Sequence, residues 1–351
     1  MIEHPSLDKP TSGSIRFNTD SSKLEIYNGE AWWEIDATSP EQETGGTRGI
    51  ISGGGTPSQV NIIEFANLNT TGNLTNFGDL NNRVNGPAGT ADRTRGITSG
   101  GYQAPSNGYI NNIDFITIAS TGDATNFGDL TVARGYSAGG SDSTRGLTGG
   151  AWDQTPSSGN SDVIDYVTIQ SAGDAVDFGN LTGARQVDAT VNSPTRVVFT
   201  GGCTGPSPFV IGTTDRLDFV TTSTLGNAAD FGDLNQETFG TGACSNAIRG
   251  LIMGGGGSSS SKLNNIQFIT IATLGNALDF GDTPSTHYYG ASCASPTRAI
   301  VAGGSTPSTI DVVDYVQIMT TGNGVDFGNL TANRDQTVSY THLTLPTTTI
   351  V

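Results

Sequence analysis

Basic residues, histidine and cysteine are all scarce in this chain, and each scarcity removes a class of function. Sixteen Lys and Arg stand against 33 Asp and Glu, a formal net charge of -17. No Lys/Arg field is present to neutralise a phosphate backbone, which argues against nucleic acid and anionic membranes as partners. Cys203, Cys244 and Cys293 are odd in number, widely spaced and without a CxxC pair, which excludes a disulfide framework and a cysteine zinc site. Cys244 and Cys293 each lie five residues before an Arg, Arg249 and Arg298, and read as small buried thiols. No apolar run is long enough to span a bilayer, and the opening "MIEHPSLDKP" has neither the basic nor the apolar region of a signal peptide. A soluble chain with no export signal and no membrane insertion is expected.

Candidates for chemistry are equally thin. Of His4, His287 and His342, only His287, in "STHYYG", could anchor a metal site or a Ser-His-Asp arrangement; its plainer reading is a strand residue beside Tyr288 and Tyr289. Asp79, Asp129, Asp233 and Asp282 are isolated acids, and no "DxDxDG" calcium loop is present. "GGGGSSSS", Gly254 to Ser261, lacks the Lys and following Ser/Thr of a phosphate loop and reads as a flexible linker. No cofactor, no metal and no catalytic group are expected, and the chain does not read as an enzyme.

What is abundant is glycine, at 49 residues of 351, and repetition. "TRGIISGGG", "TRGITSGG", "TRGLTGG", "TRVVFTGG", "IRGLIMGGGG" and "TRAIVAGG" place Arg at 48, 95, 145, 196, 249 and 298. Each is followed by an apolar-acidic-aromatic trio such as "IDF", a Gly-Asn or Gly-Asp step, and "FGDL" or a variant. From the trio's aromatic to the next Phe the interval is 12 in all six copies, and from that Phe to the next Arg it is 18. From Arg to aromatic it runs 17, 20, 21, 23, 19 and 17. One segment is elastic and the rest is rigid. The rigid parts read as short strands with apolar residues of both parities, covered on both faces. Gly72, Gly122, Gly173, Gly226, Gly275 and Gly322 are read as supplying the positive φ of a hairpin turn. Four strands per repeat fit a propeller blade. The Arg set recurs in every repeat and is therefore read as structural, with the Asp of "FGD" as its expected partner.

A Gly-Gly doublet ending a strand, two aromatics at constant interval, then Leu and Arg (Arg83, Arg134, Arg185, Arg334) resemble the kelch repeat of β-propellers, with Phe77, Phe127, Phe178, Phe231, Phe280 and Phe327 where kelch repeats have Trp. The resemblance implies an all-β fold: a β-propeller of about six four-stranded blades, or seven, over residues 47–337. Residues 1–36 stand apart. "GSIRFNTDSSKLEIYNGEAWW" alternates around "NG", which predicts a small β-hairpin module, and it is similar to a short module of bacteriophage tail fibres and other virion appendages. Residues 37–46 read as an acidic linker.

In a kelch-like blade the elastic segment joins the second and third strands, so all copies leave one face, where loops on rigid scaffolds carry recognition. Tyr102, Tyr109, Trp152, Asp153 and Phe209, in the three longest segments, suit stacking on sugars or anchoring a protein contact. Solvated connections whose aromatics fold back on the disc are the equal alternative. The function implied is that of a tail fibre or related appendage protein, located in the virion and made in the host cytoplasm without a signal peptide. It would assemble with other appendage proteins and bind a host-surface glycan or protein. A ligand-free spacer and a polysaccharide-degrading enzyme are the alternatives.

The last residues match nothing before them. "VSYTHLTLPT" back-translates to a transposon-end sequencing adapter, so residues 338–351 are set aside as a non-native tail. The first repeat shows no innermost strand of its own, and "NRDQT", from Asn333, looks like the start of one. Either that strand pairs with the first repeat and closes a ring of six, or a seventh repeat follows.

Overall fold

The computed structural model describes residues 10–18, 23–35, 48–55, 58–103, 108–153, 159–187, 189–205, 212–257 and 261–340; the acidic linker lies outside them. They are all-β, with no helix among them and therefore none able to cross a membrane. The chain divides into two units, Met1–Glu43 and Thr44–Val351.

The first unit is a three-stranded antiparallel meander of Ile15–Asn18, Lys23–Tyr27 and Trp32–Ile35. The "NG" turn is present, widened to four residues: Asn28 donates its backbone N–H to Ala31 O, and its side-chain oxygen accepts from the N–H groups of Glu30 and Ala31. Period-two alternation sorts the side chains. Ile15, Phe17, Leu24, Ile26 and Trp33 are exposed, and register puts Ile15, Ile26 and Trp33 in one row across the sheet. On the other face Arg16 sits 4.2 Å over the Trp32 ring and donates to Glu25, which also accepts from Asn18. The Asn18 hydrogen bond, then Arg16, hold the Glu25 carboxyl below its usual range. A depressed carboxylate adds stability above its unfolded pKa and loses that contribution as pH falls through the folded one. Acidification below the ordinary carboxylate range is thus expected to loosen this sheet, and Glu25→Gln to flatten the dependence; Trp fluorescence of the isolated 1–43 segment against pH checks it.

Among the described residues, the second unit contains six antiparallel sheets, five of four strands and one of five, and a two-stranded ribbon of Tyr102–Gln103 with Gly108–Tyr109. The second sheet is typical: Ala88–Ala91, Arg95–Ser99, Asn112–Thr117 and Thr125–Asp129, in chain order from the inner edge outward. The third carries an extra strand, Arg134–Gly135, on its long strand Arg145–Asp153. The first sheet, Arg48–Ser52, Ile62–Asn67 and Thr75–Asp79, takes its inner strand from Val338–Tyr340, with Val338 opposite Ser52 and Ser339 opposite Ile51. These are the first three residues of the segment set aside on sequence. Strand pairing is made by backbone groups and accepts whichever residues stand there. Residues 341–351 lie outside the described set.

Each sheet buries both faces against its neighbours, which explains the apolar residues of both parities. Ile50, Ile63 and Phe77 of the first sheet pack with Ala91, Ile116 and Ala124 of the second. On the other flank, Ile51, Leu68 and Leu74 pack with Cys293, Ile300 and Phe327 of the sixth. The 12-residue interval is a cross-hairpin contact: Phe65 and Phe77 meet edge to face at 6.0 Å, and all six pairs repeat this at 5.9–6.0 Å. Burial pushes the thiols of Cys244 and Cys293 up, and Cys203 is buried too. All three are expected to resist a thiol reagent in the folded protein and to react on urea unfolding; rapid native labelling would contradict the packing.

Three sequence expectations need correction. First, the repeated Arg does not pair with the Asp of "FGD". Arg48, Arg95, Arg145, Arg196, Arg249 and Arg298 lie 4.4–5.1 Å over the aromatic of their own trio, and each donates Nη1 to a carbonyl of the next sheet, ending with Arg298 to Leu68 O of the first. Second, the Gly72 set has the expected positive φ, +148° to +159°, but lies outside the hairpin turn, which closes earlier through Thr70 N–H to Asn67 O. These glycines lie where neighbouring sheets touch: Gly72 N–H donates to Phe327 O, Gly122 to Phe77 O and Gly275 to Phe231 O. Third, Gly254 and Gly255 are not linker; they end a strand at φ +66° and +96° as the other doublets do, with Gly254 N–H bonded to Asn265 O.

The Arg of "LTVAR" forms a second, buried set. Arg134 pairs with Asp165 at 3.0 Å, Arg185 with Asp218 at 2.6 Å, and Arg334 with Glu64. Burial lowers the guanidinium pKa of Arg134, and that of Arg334 to about 10. His287 takes this same position in the sixth sheet, bonded to Gly303 O and Asp314, so it is a buried structural residue. At the Arg134 position of the next repeat stands the neutral Thr238, at the end of the fourth sheet's outer strand, and the fifth sheet has Gln267 in place of the acid. In the second, Val84 holds the place and Arg83 is exposed, one residue out of step.

Candidate functional site

Antiparallel pairing fixes which end of the sheets carries the elastic segments. The second strand ends where the inner strand begins, as in Ser99 opposite Ala88, so each elastic segment emerges beside the residues leading into an inner strand. Tyr102 and Asn85 accordingly exchange both backbone hydrogen bonds.

The sequence candidates take different places on this end. Tyr102 and Tyr109 are half-buried, with ring centroids 5.4 Å apart, and Tyr109 meets Tyr136 at 6.5 Å. Burial, then its tyrosine neighbours, pushes the Tyr109 hydroxyl far up, and burial, then Tyr102 and Asp335, raises Tyr136 to about 12. Both are neutral donors at physiological pH. Trp152 is half-buried against Gly159. Asp153 is buried and lies opposite Arg134 in the extra strand pair, so it contributes to the interior of the third sheet. Phe209 lies outside the described residues. The structure thus brings together Tyr102 and Tyr109 and adds Tyr136.

The inner strands, Val338–Tyr340, Ala88–Ala91, Ala138–Ser141, Ala189–Asn192, Gly242–Ser245 and Ala291–Ala294, surround a channel lined by small residues, among them Thr190, Thr241, Ser292 and Ser339. At the elastic end it opens into a shallow depression lined by Tyr136, Ser137, Gln186, Tyr289, Gln336 and Thr337 with neighbouring small residues. Among the described residues, none of those lining it is charged. Around its rim Tyr136 N–H donates to Gly86 O, Gly86 to Gln336 O, Gln336 to Tyr289 O and Tyr289 to Gly240 O, at 2.7–3.0 Å. No group of three His, Cys, Asp or Glu able to hold a metal occurs among the described residues.

The rim was missed on sequence, although a signal existed. Two residues before the inner strand, five of the six sheets carry Gly86, Tyr136, Gly240, Tyr289 or Gln336, and the fourth carries Val187. All five have φ between +53° and +65°, a region that costs a non-glycine residue free energy. Aligning the repeats at this position marks three residues standing where glycine is favoured. Comparison with known proteins finds no matching family model and no matching curated sequence.

Proposed function

We propose that the six sheets are blades of a kelch-like β-propeller, closed by Val338–Tyr340, and that the protein is a bacteriophage tail-fibre or related virion appendage component that contacts a host surface through the face bearing the elastic segments. The observation that carries this reading is the confinement of length variation to segments at one end of six otherwise constant sheets. Variation at one face of a rigid scaffold is the arrangement of a recognition surface. The N-terminal unit supports the appendage assignment through its tail-fibre-like sequence, and other virion proteins are the partners this implies.

A screen of the purified chain against host cells and surface glycans tests the reading. Binding that falls in Tyr109→Ala or Trp152→Ala supports it. No binding to any cell or glycan favours the spacer, which the half-buried packing of Tyr102 and Tyr109 also fits, and release of reducing ends from polysaccharide would favour the enzyme.

A further inference from the structure

We propose that the channel mouth is a binding site for one uncharged, hydroxyl-rich sugar unit, seated between Tyr136 and Tyr289 and held by Gln186 and Ser137. Its biological use rests on the surface-recognition reading, but its chemistry does not involve the elastic segments.

Strain is the first argument. Tyr136, Tyr289 and Gln336, at φ +53°, +59° and +53°, are all the non-glycine residues with positive φ among those described, and all stand at one repeat position on one rim. Such concentration points to a use for the side chains, because glycine at 86 and 240 serves the backbone without cost. Those glycines also make room: a Cβ on Gly86 would fall 2.8 Å from the Tyr136 ring, and one on Gly240 2.9 Å from Tyr288 and 3.2 Å from Tyr289.

Unmet hydrogen bonding is the second. Gln186 and Ser137 line the depression, only 4% and 5% exposed, and neither Gln186 Nε2 nor Ser137 Oγ has a partner among the described residues. A buried amide donor and a buried hydroxyl are costly unless something meets them.

Chemistry of the lining then selects the ligand. Two tyrosines, from the third and sixth sheets, line the depression with amides and hydroxyls, and no charged residue stands among the described lining. Aromatic surface beside uncharged donors and acceptors suits a sugar's apolar ring face and hydroxyl edge. The chain's net charge of -17 disfavours acidic sugars.

Saturation-transfer NMR on the full chain, with glucose, galactose, mannose and N-acetylglucosamine as probes and glucuronic and N-acetylneuraminic acids as charged controls, tests this. At least one neutral sugar is expected to bind and neither acid. Gln186→Leu, Tyr136→Gly and Tyr289→Gly are each expected to weaken binding about tenfold or more, with melting temperatures close to the parent's because an unmet donor or a strained φ has been removed. Leu274→Ala, exposed and absent from the mouth lining, should leave it unchanged. The proposal is overturned if no neutral sugar binds, if the acids bind equally, or if Gln186→Leu binds like the parent. Loss in Trp152→Ala with retention in Gln186→Leu would overturn the mouth while keeping the loop reading. Should Tyr136→Gly melt far below the parent, packing explains its strain, and Gln186→Leu alone decides.

Discussion

Arg134→Met is expected to destabilise the second unit by about 3–5 kcal/mol, the usual cost of breaking a buried ion pair from one side. Both partners are fully buried. Arg134 Nη2 donates to Asp165 and Thr148 O, both at 3.0 Å, and removing it leaves Asp165 with Thr131 as donor. The double variant Arg134→Met/Asp165→Gln should recover most of the loss. The fifth sheet already works this way: Gln267 accepts from Asn235 N–H at 2.8 Å, as Asp165 does from Thr131 N–H, and the repeat position of Arg134 is held by the uncharged Thr238. Urea midpoints of the two variants and the parent decide the matter. A double variant no more stable than the single would mean that the charge pair itself, beyond mutual neutralisation, holds the sheet.

A second large effect is expected at the contact between the sixth and first sheets. Gly328 and Gly72 have nearly equal backbone angles, φ +150° and +154°, so alanine imposes similar conformational strain at either. Their surroundings differ. A Cβ on Gly328 would lie 2.6 Å from Gly72 O and 2.7 Å from its carbonyl carbon, whereas one on Gly72 meets nothing within 4 Å. Backbone cannot swing aside as a flexible side chain can. Gly328→Ala is therefore expected to cost about 2–4 kcal/mol, overpacking added to strain, and Gly72→Ala about 1 kcal/mol. Equal losses in thermal or urea unfolding would show that backbone angle alone explains the glycines.

The constant intervals were legible because they belong to single hairpins. Phe65 and Phe77 lie on adjacent strands of one sheet, so their contact is written in local spacing. Contacts between sheets join residues about seventy positions apart, such as Arg48 and Ile118, and spacing within a repeat carries no mark of them. For that reason the Arg set was given a local carboxylate partner when it reaches a neighbour's carbonyl, and Gly72 a turn when it serves a close approach. Arg83 shows a different limit. Matching by residue type aligned it with Arg134, whereas burial aligns Val84. Of the candidate site, Tyr102 and Tyr109 came from loop length and aromatic content. Tyr136, Tyr289 and Gln336 carry no distinctive chemistry in isolation, and become visible only when φ shows what their position demands.

Sheet order also bears on how the chain is made. The strand Arg48–Ser52 is among the first parts of the second unit to leave the ribosome, yet its inner partner, Val338–Tyr340, is among the last. Five sheets draw all four strands from one continuous stretch and can form as translation proceeds. The first waits with an unpaired edge of Ile50, Ile51 and Ser52, the kind of edge that recruits other strands. The interval between synthesis of residues 52 and 338 is therefore a window of exposure, in which speed of translation and cover by chaperones govern how much chain reaches the folded state.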